Sequence, residues 1–308
     1  MTIGLGVAVA QTVALAAAAT VTGSAALRTQ TATNVADVAV GAFLLTGVIS
    51  SDRPADDNHP LGYGRERFFW SFVAAIGIFV GGVGAAFVET LQAALHAEKT
   101  GSYLVGYIVL TVVFILDLVA LVGGVRPLSR RARDRGVSLT AYLWHGTDPA
   151  ITTVVLSSAA GVLGGVIAAA GLAGREITGR TTSDALASAL IGLTLLGTSV
   201  VLLHTNRELL TGRGVGPGQA ERMRKLVAAE DGIVGVPDIF AIVVGPSTVI
   251  VDADVIFDDE LDVPQVEVII LRAAAALRAQ WPAIGFVYLN PVAGHRSRRI
   301  RARSVVDS

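Results

Sequence analysis

The sequence predicts an α-helical membrane protein of six transmembrane helices followed by a small cytoplasmic α+β domain. Three observations carry this prediction. Hydrophobic residues make up 52% of the chain against 16% charged, with a mean hydropathy of +0.62, a balance that excludes an ordinary soluble globule. The apolar residues concentrate before residue 205 in six stretches, each near the ~20 residues that cross roughly 30 Å of hydrocarbon. After Gly212 the composition becomes that of a small soluble domain. The absence of cysteine excludes disulfides, thiolate metal sites and cysteine nucleophiles, and a formal charge of −1 gives no electrostatic footprint for nucleic acid.

The spans fall near 3–21, 33–50, 68–94, 102–125, 149–172 and 184–204. The first is poor in basic residues at its start and no cleavage site with a soluble sequel follows, so it reads as a span and not as a signal peptide. Arginines set the orientation. The second loop carries Arg53, Arg65 and Arg67 and the fourth Arg126, Arg130, Arg131, Arg133 and Arg135, while the first, third and fifth together offer Arg28, Lys99, Arg175 and Arg180. Loops two and four are therefore expected inside, with both termini cytoplasmic in a multi-pass cell membrane protein. Trp70, Tyr142 and Trp144 fit an inner aromatic belt, and Tyr103 and Tyr107 an outer one.

In the tail, 217–229 reads as a helix, 238–244 and 248–257 as strands about the Gly245-Pro246 turn, 263–281 as a second helix and 284–289 as a last strand. This order predicts a ferredoxin-like unit over 213–294, after a transmembrane domain over 1–212. Asp258, Asp259, Glu260 and Asp262 are expected to form a turn and cap the second helix. The segment 295–308, with five arginines and no apolar run, is expected to be disordered and able to lie on anionic lipid.

Ionisable residues inside a span are costly and mark function by default. Three stand inside: Asp37, Glu89 and Asp117. Asp37 follows a polar run over 29–34 that could line a cavity. Glu89 sits near an outer end, where snorkelling explains it equally well. Asp117 reads either as a substrate or proton site or as a neutral buried hydrogen-bond donor. The loop 52–67, DRPADDNHPLGYGRER, gathers Asp56, Asp57 and His59, suitable ligands for a divalent cation. Rigid turn chemistry from its prolines and glycines is the competing reading. The spacings Gly77/Gly81 and Gly161/Gly165 are read as helix-packing motifs.

The segment RPADDNHPLGYGRERFFWSF with an aspartate 17 residues before Pro54 resembles the second-to-third span region of the cation diffusion facilitator family of divalent-metal/proton antiporters. Gly-Thr-Asp148-Pro149 before the fifth span, Ser183-Asp184-Ala185-Leu186 at the sixth and NRELLTG over 206–212 are similar to the branch typified by mammalian zinc transporter nine. The resemblance covers about 30–294. It implies a six-span homodimer with a cytoplasmic ferredoxin-like domain, exporting zinc or related ions against protons.

The resemblance also implies a central metal site in which Asp37 is a ligand. Thr33 stands where the family's first ligand belongs, and Ser157-Ser158 where the branch has a Glu-Asp pair. A reassembled site would draw on Asp37, Asn34 and Thr33 with Asp117, an oxygen-rich shell suited to a hard cation. Asp56 and His59 match a second metal position, with Tyr63 replacing a histidine of some members. His145 and Asp148 are an accessory pair or an interfacial helix start. No histidine lies between Gly212 and Gly294, so a regulatory zinc cluster in the tail is not expected. The expected cargo is a divalent ion, Zn²⁺ first and Mn²⁺, Fe²⁺, Co²⁺ or Mg²⁺ otherwise, with no permanently bound cofactor. A non-transporting membrane scaffold or heteromeric partner is the alternative. No nucleophile, base and orienting residue occur together, so an enzyme is not expected.

Overall fold

A computed structural model describes residues 2–95, 102–134, 138–139, 149–246 and 248–293. Lys99, Arg135, Tyr142, Trp144, His145, Asp148 and the tail 295–308 lie outside the described residues. The chain divides into two compact units, Met1–Glu208 and Leu209–Ser308.

The first unit is helical. Helix α1, Thr2–Thr22, is followed by α2, Ala25–Ser51, after Gly23 turns the chain at φ 64°. Helix α3, Glu66–Gly77, passes through a π-helical stretch, Ile78–Val83, into α4, Gly84–Leu95, as one continuous span. Then come α5, Tyr103–Asp134, α6, Pro149–Thr178, and α7, Thr182–Leu210. Five of these spans are long and apolar enough to cross a membrane, and α1, apolar over Gly6–Thr22, supplies a sixth apolar helix.

Two boundaries differ most from the sequence expectation. Helix α2 begins at Ala25 and not near 33, because the polar run 29–34 depresses hydropathy while turning into the bundle. Helix α5 continues past 125 to Asp134, so Arg126, Arg130, Arg131 and Arg133 of the expected fourth loop are helical. Hydropathy marks where the apolar stretch stops, and arginines remain good helix formers beyond it. Pro127 lies inside this helix, opposite the carbonyl of Gly123, four residues back, where its ring removes one helical hydrogen bond.

Between apolar helices in lipid, close van der Waals approach drives association, and small residues permit it. Leu15, Leu27, Leu110, Val113 and Leu172 form a core shared by α1, α2, α5 and α6. A side chain at Gly106 of α5 would meet Leu172, Thr22 and Leu27 at once, so α5 passes where the other three converge. Gly77 and Gly81 face Phe43, Val40 and Ala36 of α2, the packing role expected for this pair. Helix α7 packs Leu195 on Gly82 and Gly192 on Ala86, and Asn206 donates to the Ser71 carbonyl at 3.3 Å.

The second unit runs α8, Pro217–Ala228, β1, Ile233–Gly245, β2, Thr248–Phe257, α9, Val263–Gln280, and β3, Ile284–Pro291. The sheet order is β1-β2-β3, antiparallel between β1 and β2 and parallel between β2 and β3. This is a ferredoxin-like β-α-β-β-α-β unit without its first strand; the two strands flanking α9 then pair directly and in parallel. Val249, Val251, Ala253 and Val255 alternate inward along β2, as a half-covered strand requires. Asp262 caps α9 in a reciprocal box with Gln265, each bond 2.9 Å, and Asp258 accepts from the Glu260 amide at 3.1 Å. The acidic run is a turn and a cap, as the sequence predicts.

Candidate functional site

One face of α2 carries the polar run into the bundle. Thr29, Gln30, Thr33 and Asn34 are all buried, and Asp37 follows one turn on, half-buried. Thr29 donates its hydroxyl to Ala25 O at 3.0 Å and lies 3.1 Å from Ser188 of α7. Thr33 returns its proton to Thr29 O at 2.9 Å, which leaves its oxygen lone pairs as acceptors. Asp37 has no hydrogen-bond partner among the described residues, and its charged neighbour is Asp117 of α5. Asp117 Oδ1 accepts from Gln11 Nε2 of α1 at 3.0 Å.

Helix α6 closes the other side. A Cβ at Gly161 would come within 2.8 Å of Asp117 Oδ2, and one at Gly164 within 2.8 Å of Gln30 Oε1. Ser157, Gly161 and Gly164 fall at i, i+4 and i+7, one face of the helix; Ser158, half-buried, is a further ~100° around it. The Gly161/Gly165 spacing thus serves packing as expected, Gly165 meeting Phe114, but Gly161 also seats a carboxylate. Four side chains here keep buried polar atoms without a protein partner: both amide atoms of Gln30, Asn34 Nδ2, Asp117 Oδ2 and Ser157 Oγ. Buried polar groups are nearly always hydrogen-bonded, so such a concentration on α2, α5 and α6 marks a place where something polar is received. The donors are carboxylate, amide and hydroxyl, and no cluster of three or more His, Cys, Asp or Glu occurs among the described residues.

The loop between α2 and α3 brings Asp56 and His59 within 3.4 Å. Asp56 Oδ1 accepts from the amides of Asn58 and His59 at 3.0 and 2.7 Å, and Oδ2 from the Tyr63 hydroxyl at 2.7 Å. The Tyr63 and His59 rings lie 4.1 Å apart. Both carboxylate oxygens thus serve the turn. The Tyr63 hydroxyl first, then the His59 amide, holds the Asp56 carboxyl below its ordinary 3.8, and Asp56 in turn raises the Tyr63 phenol. A depressed carboxyl stabilises the folded loop at pH above its unfolded value, and that contribution is lost as pH falls through the lowered one. Tyr63→Phe is expected to return Asp56 toward 3.8, which a carboxyl-carbon NMR titration reads directly; an unchanged titration would remove the phenol from this account.

Residues 1–211 match the sequence model of the cation efflux transmembrane domain. The chain belongs to the cation efflux family. Such proteins are transporters and not enzymes. Among its relatives, the human proton-coupled zinc antiporter SLC30A9, mitochondrial, is 32% identical over 238 residues, 77% of this chain and 42% of that protein. The Xenopus laevis protein of the same name is 30% identical over 237 residues, 77% of this chain and 42% of the other. Metal tolerance protein C4 of Arabidopsis thaliana is 29% identical over 228 residues, 74% and 50% respectively. The chain spans about half the length of these curated relatives.

Other charged residues of this cation efflux bundle have structural partners. Arg28 and Glu89 form a 2.6 Å ion pair, which occupies Glu89 without a cargo. Asp184, buried at the start of α7, accepts from Ser24 Oγ at 2.8 Å and from the Ala25 and Ala26 amides at 2.6 and 3.2 Å. It thereby satisfies the first N–H groups of α2 and meets the positive end of that helix. Arg175 of α6 completes the cluster, donating to Asp184 Oδ2 at 3.1 Å and to Gly23 O at 2.9 Å. Charge alone marks neither Gln11 nor Gln30, and Gln30 stands out in the sequence only as a member of the polar run 29–34. Their signal was nonetheless present: Gln11 is the one amide side chain in α1.

Proposed function

We propose that this chain exports a divalent metal cation across a membrane in exchange for protons, with the cargo held between Asp37 and Asp117. The observation that carries this reading is that the carboxylates of Asp37 on α2 and Asp117 on α5 lie close enough to repel each other, beside buried polar atoms that no protein group satisfies. Two carboxylates offset a divalent charge in a low-dielectric bundle, and protons replace that charge when the cation leaves. Each carboxylate therefore alternates between holding metal and holding a proton as the bundle opens to either side. Thr33, Asn34, Ser157 and Ser158 supply neutral oxygens. Asp56 with His59 on the loop, and His145 with Asp148 before α6, are accessory cation positions.

Zinc is the first candidate cargo because the human and frog relatives are named zinc antiporters; Mn²⁺, Fe²⁺, Co²⁺ and Mg²⁺ are the others. The arginine distribution supports both termini on the cytoplasmic side of a cell membrane, although those two relatives are named mitochondrial. The resemblance further supports a homodimer. A second reading, a non-transporting scaffold or heteromeric partner, is favoured by one observation: no third acid or imidazole joins the two carboxylates among the described residues.

Purified protein in liposomes under a proton gradient, offered each of the five metals, separates the two. Metal-stimulated proton flux that Asp37→Ala abolishes is the expected result. A folded protein giving no flux with any of the five supports the scaffold.

A further inference from the structure

Gln30 is a fully buried polar group that the transport reading leaves unused. It lies on α2, and neither Oε1 nor Nε2 has a partner in the protein. Its position is nonetheless defined, since Oε1 occupies a notch that α6 leaves at Gly164. Gly161, three residues earlier on the same helix, leaves a matching notch for Asp117 Oδ2, another orphaned oxygen. Positions three apart are surface neighbours, about 5–6 Å between Cβ sites, so the amide and the carboxylate oxygen are seated at neighbouring positions on one face of α6. Gln11 takes the other Asp117 oxygen at 3.0 Å and thereby fixes which one stays available. Asn34, one turn from Gln30, adds a further buried amide with an unpaired Nδ2.

We propose that Gln30 is a direct oxygen ligand of the transported cation, seated by Gly164, and that it selects a hard, oxygen-preferring divalent ion of the Mn²⁺ and Mg²⁺ class over zinc. The inference rests on the transport reading and moves first place away from zinc. Asp37 and Asp117 already balance a divalent charge, so a neutral amide oxygen adds coordination without adding a third negative charge. Hard cations take six or more oxygen ligands and tolerate amides and water. Zinc favours compact sets containing imidazole or thiolate, and no histidine or cysteine joins this site among the described residues.

Calorimetric titration of the full chain in lipid nanodiscs with Mn²⁺ and Zn²⁺ separately tests the inference. The unaltered protein is expected to bind Mn²⁺ more tightly than Zn²⁺. Gln30→Leu should weaken Mn²⁺ binding at least about tenfold, the loss that even outer-shell partners of a metal cause. Gly164→Ala, which keeps the amide but fills its notch, should act in the same direction. Gln30→His should turn the preference toward zinc, a gain that misfolding cannot produce. Unchanged Mn²⁺ affinity in Gln30→Leu, or a zinc preference that Gln30→His leaves unaltered, overturns the inference. Loss of binding in Asp37→Asn alongside a normal Gln30→Leu would sink this inference alone. Absence of binding for both metals in the unaltered protein would overturn this inference, while the transport reading would stand or fall separately on the five-metal liposome assay.

Discussion

Asp184→Ala is expected to lower the stability of the helical unit by about 3–5 kcal/mol, the range for breaking one partner out of a buried ion pair. Two losses act together. Arg175, itself buried, would lose the Asp184 carboxylate to which it donates, and the Ala25 and Ala26 amides would lose their acceptor at the start of α2. Asp184→Asn should cost less, because an amide oxygen still accepts from part of this set while the charge pairing goes. Chemical unfolding in detergent, followed by the signal of the intrinsic tryptophans, measures both variants. Equal stability of Asp184→Ala and the unaltered protein would mean that water or lipid headgroups substitute for the carboxylate.

The second large effect is functional. Asp117→Asn should reduce metal-driven proton flux by roughly 10–100-fold or more, taking the loss for disturbing a metal site as a floor. The amide side chain can still accept from Gln11, so the helix contact persists while half of the compensating charge disappears. Gly161→Ala offers an orthogonal approach. It leaves the charge intact and pushes Asp117 Oδ2, 2.8 Å from the new Cβ, out of its seat. Flux should fall in both variants, with the helical content of each preserved by circular dichroism. Normal flux in Asp117→Asn would leave Asp37 as the sole charged station and would exclude α5 from the cargo path.

Much of this architecture can be read from the chain. Six apolar stretches, a change of composition after Gly212 and the strand and helix order of the tail follow from hydropathy and turn residues, and the acids at 258–262 could be assigned to a turn and a cap by spacing alone. The limits of α2 and α5 could not, since a polar face turned inward and a helix continuing beyond the apolar zone are both invisible to hydropathy. Asp37, Asp117 and Ser157 are picked out by charge or by resemblance, whereas Gln11 and Gln30 depend on which helices meet across the bundle. The same limit hid the capping and pairing role of Asp184, whose partners Ser24 and Ala25 lie 160 and 159 positions away along the chain. Tertiary proximity of that kind leaves no local pattern.

The π-helical stretch Ile78–Val83 divides the third span into two facing surfaces that need not share one phase. A wider turn accommodates an extra residue, so side chains beyond it are rotated by about 100° from where a regular helix would carry them. Before that offset Gly77 addresses α2, and within it Gly81 still does. At its centre and beyond, Gly82 and Ala86 address α7, and Glu89 reaches Arg28. The stretch therefore works as a phase shifter, letting a single rod meet α2 at Gly77 before it and at Glu89 beyond it while Gly82 and Ala86 turn to α7. Deleting one residue within it would leave the span long enough to cross the bilayer while turning its second half away from the arginine it now holds.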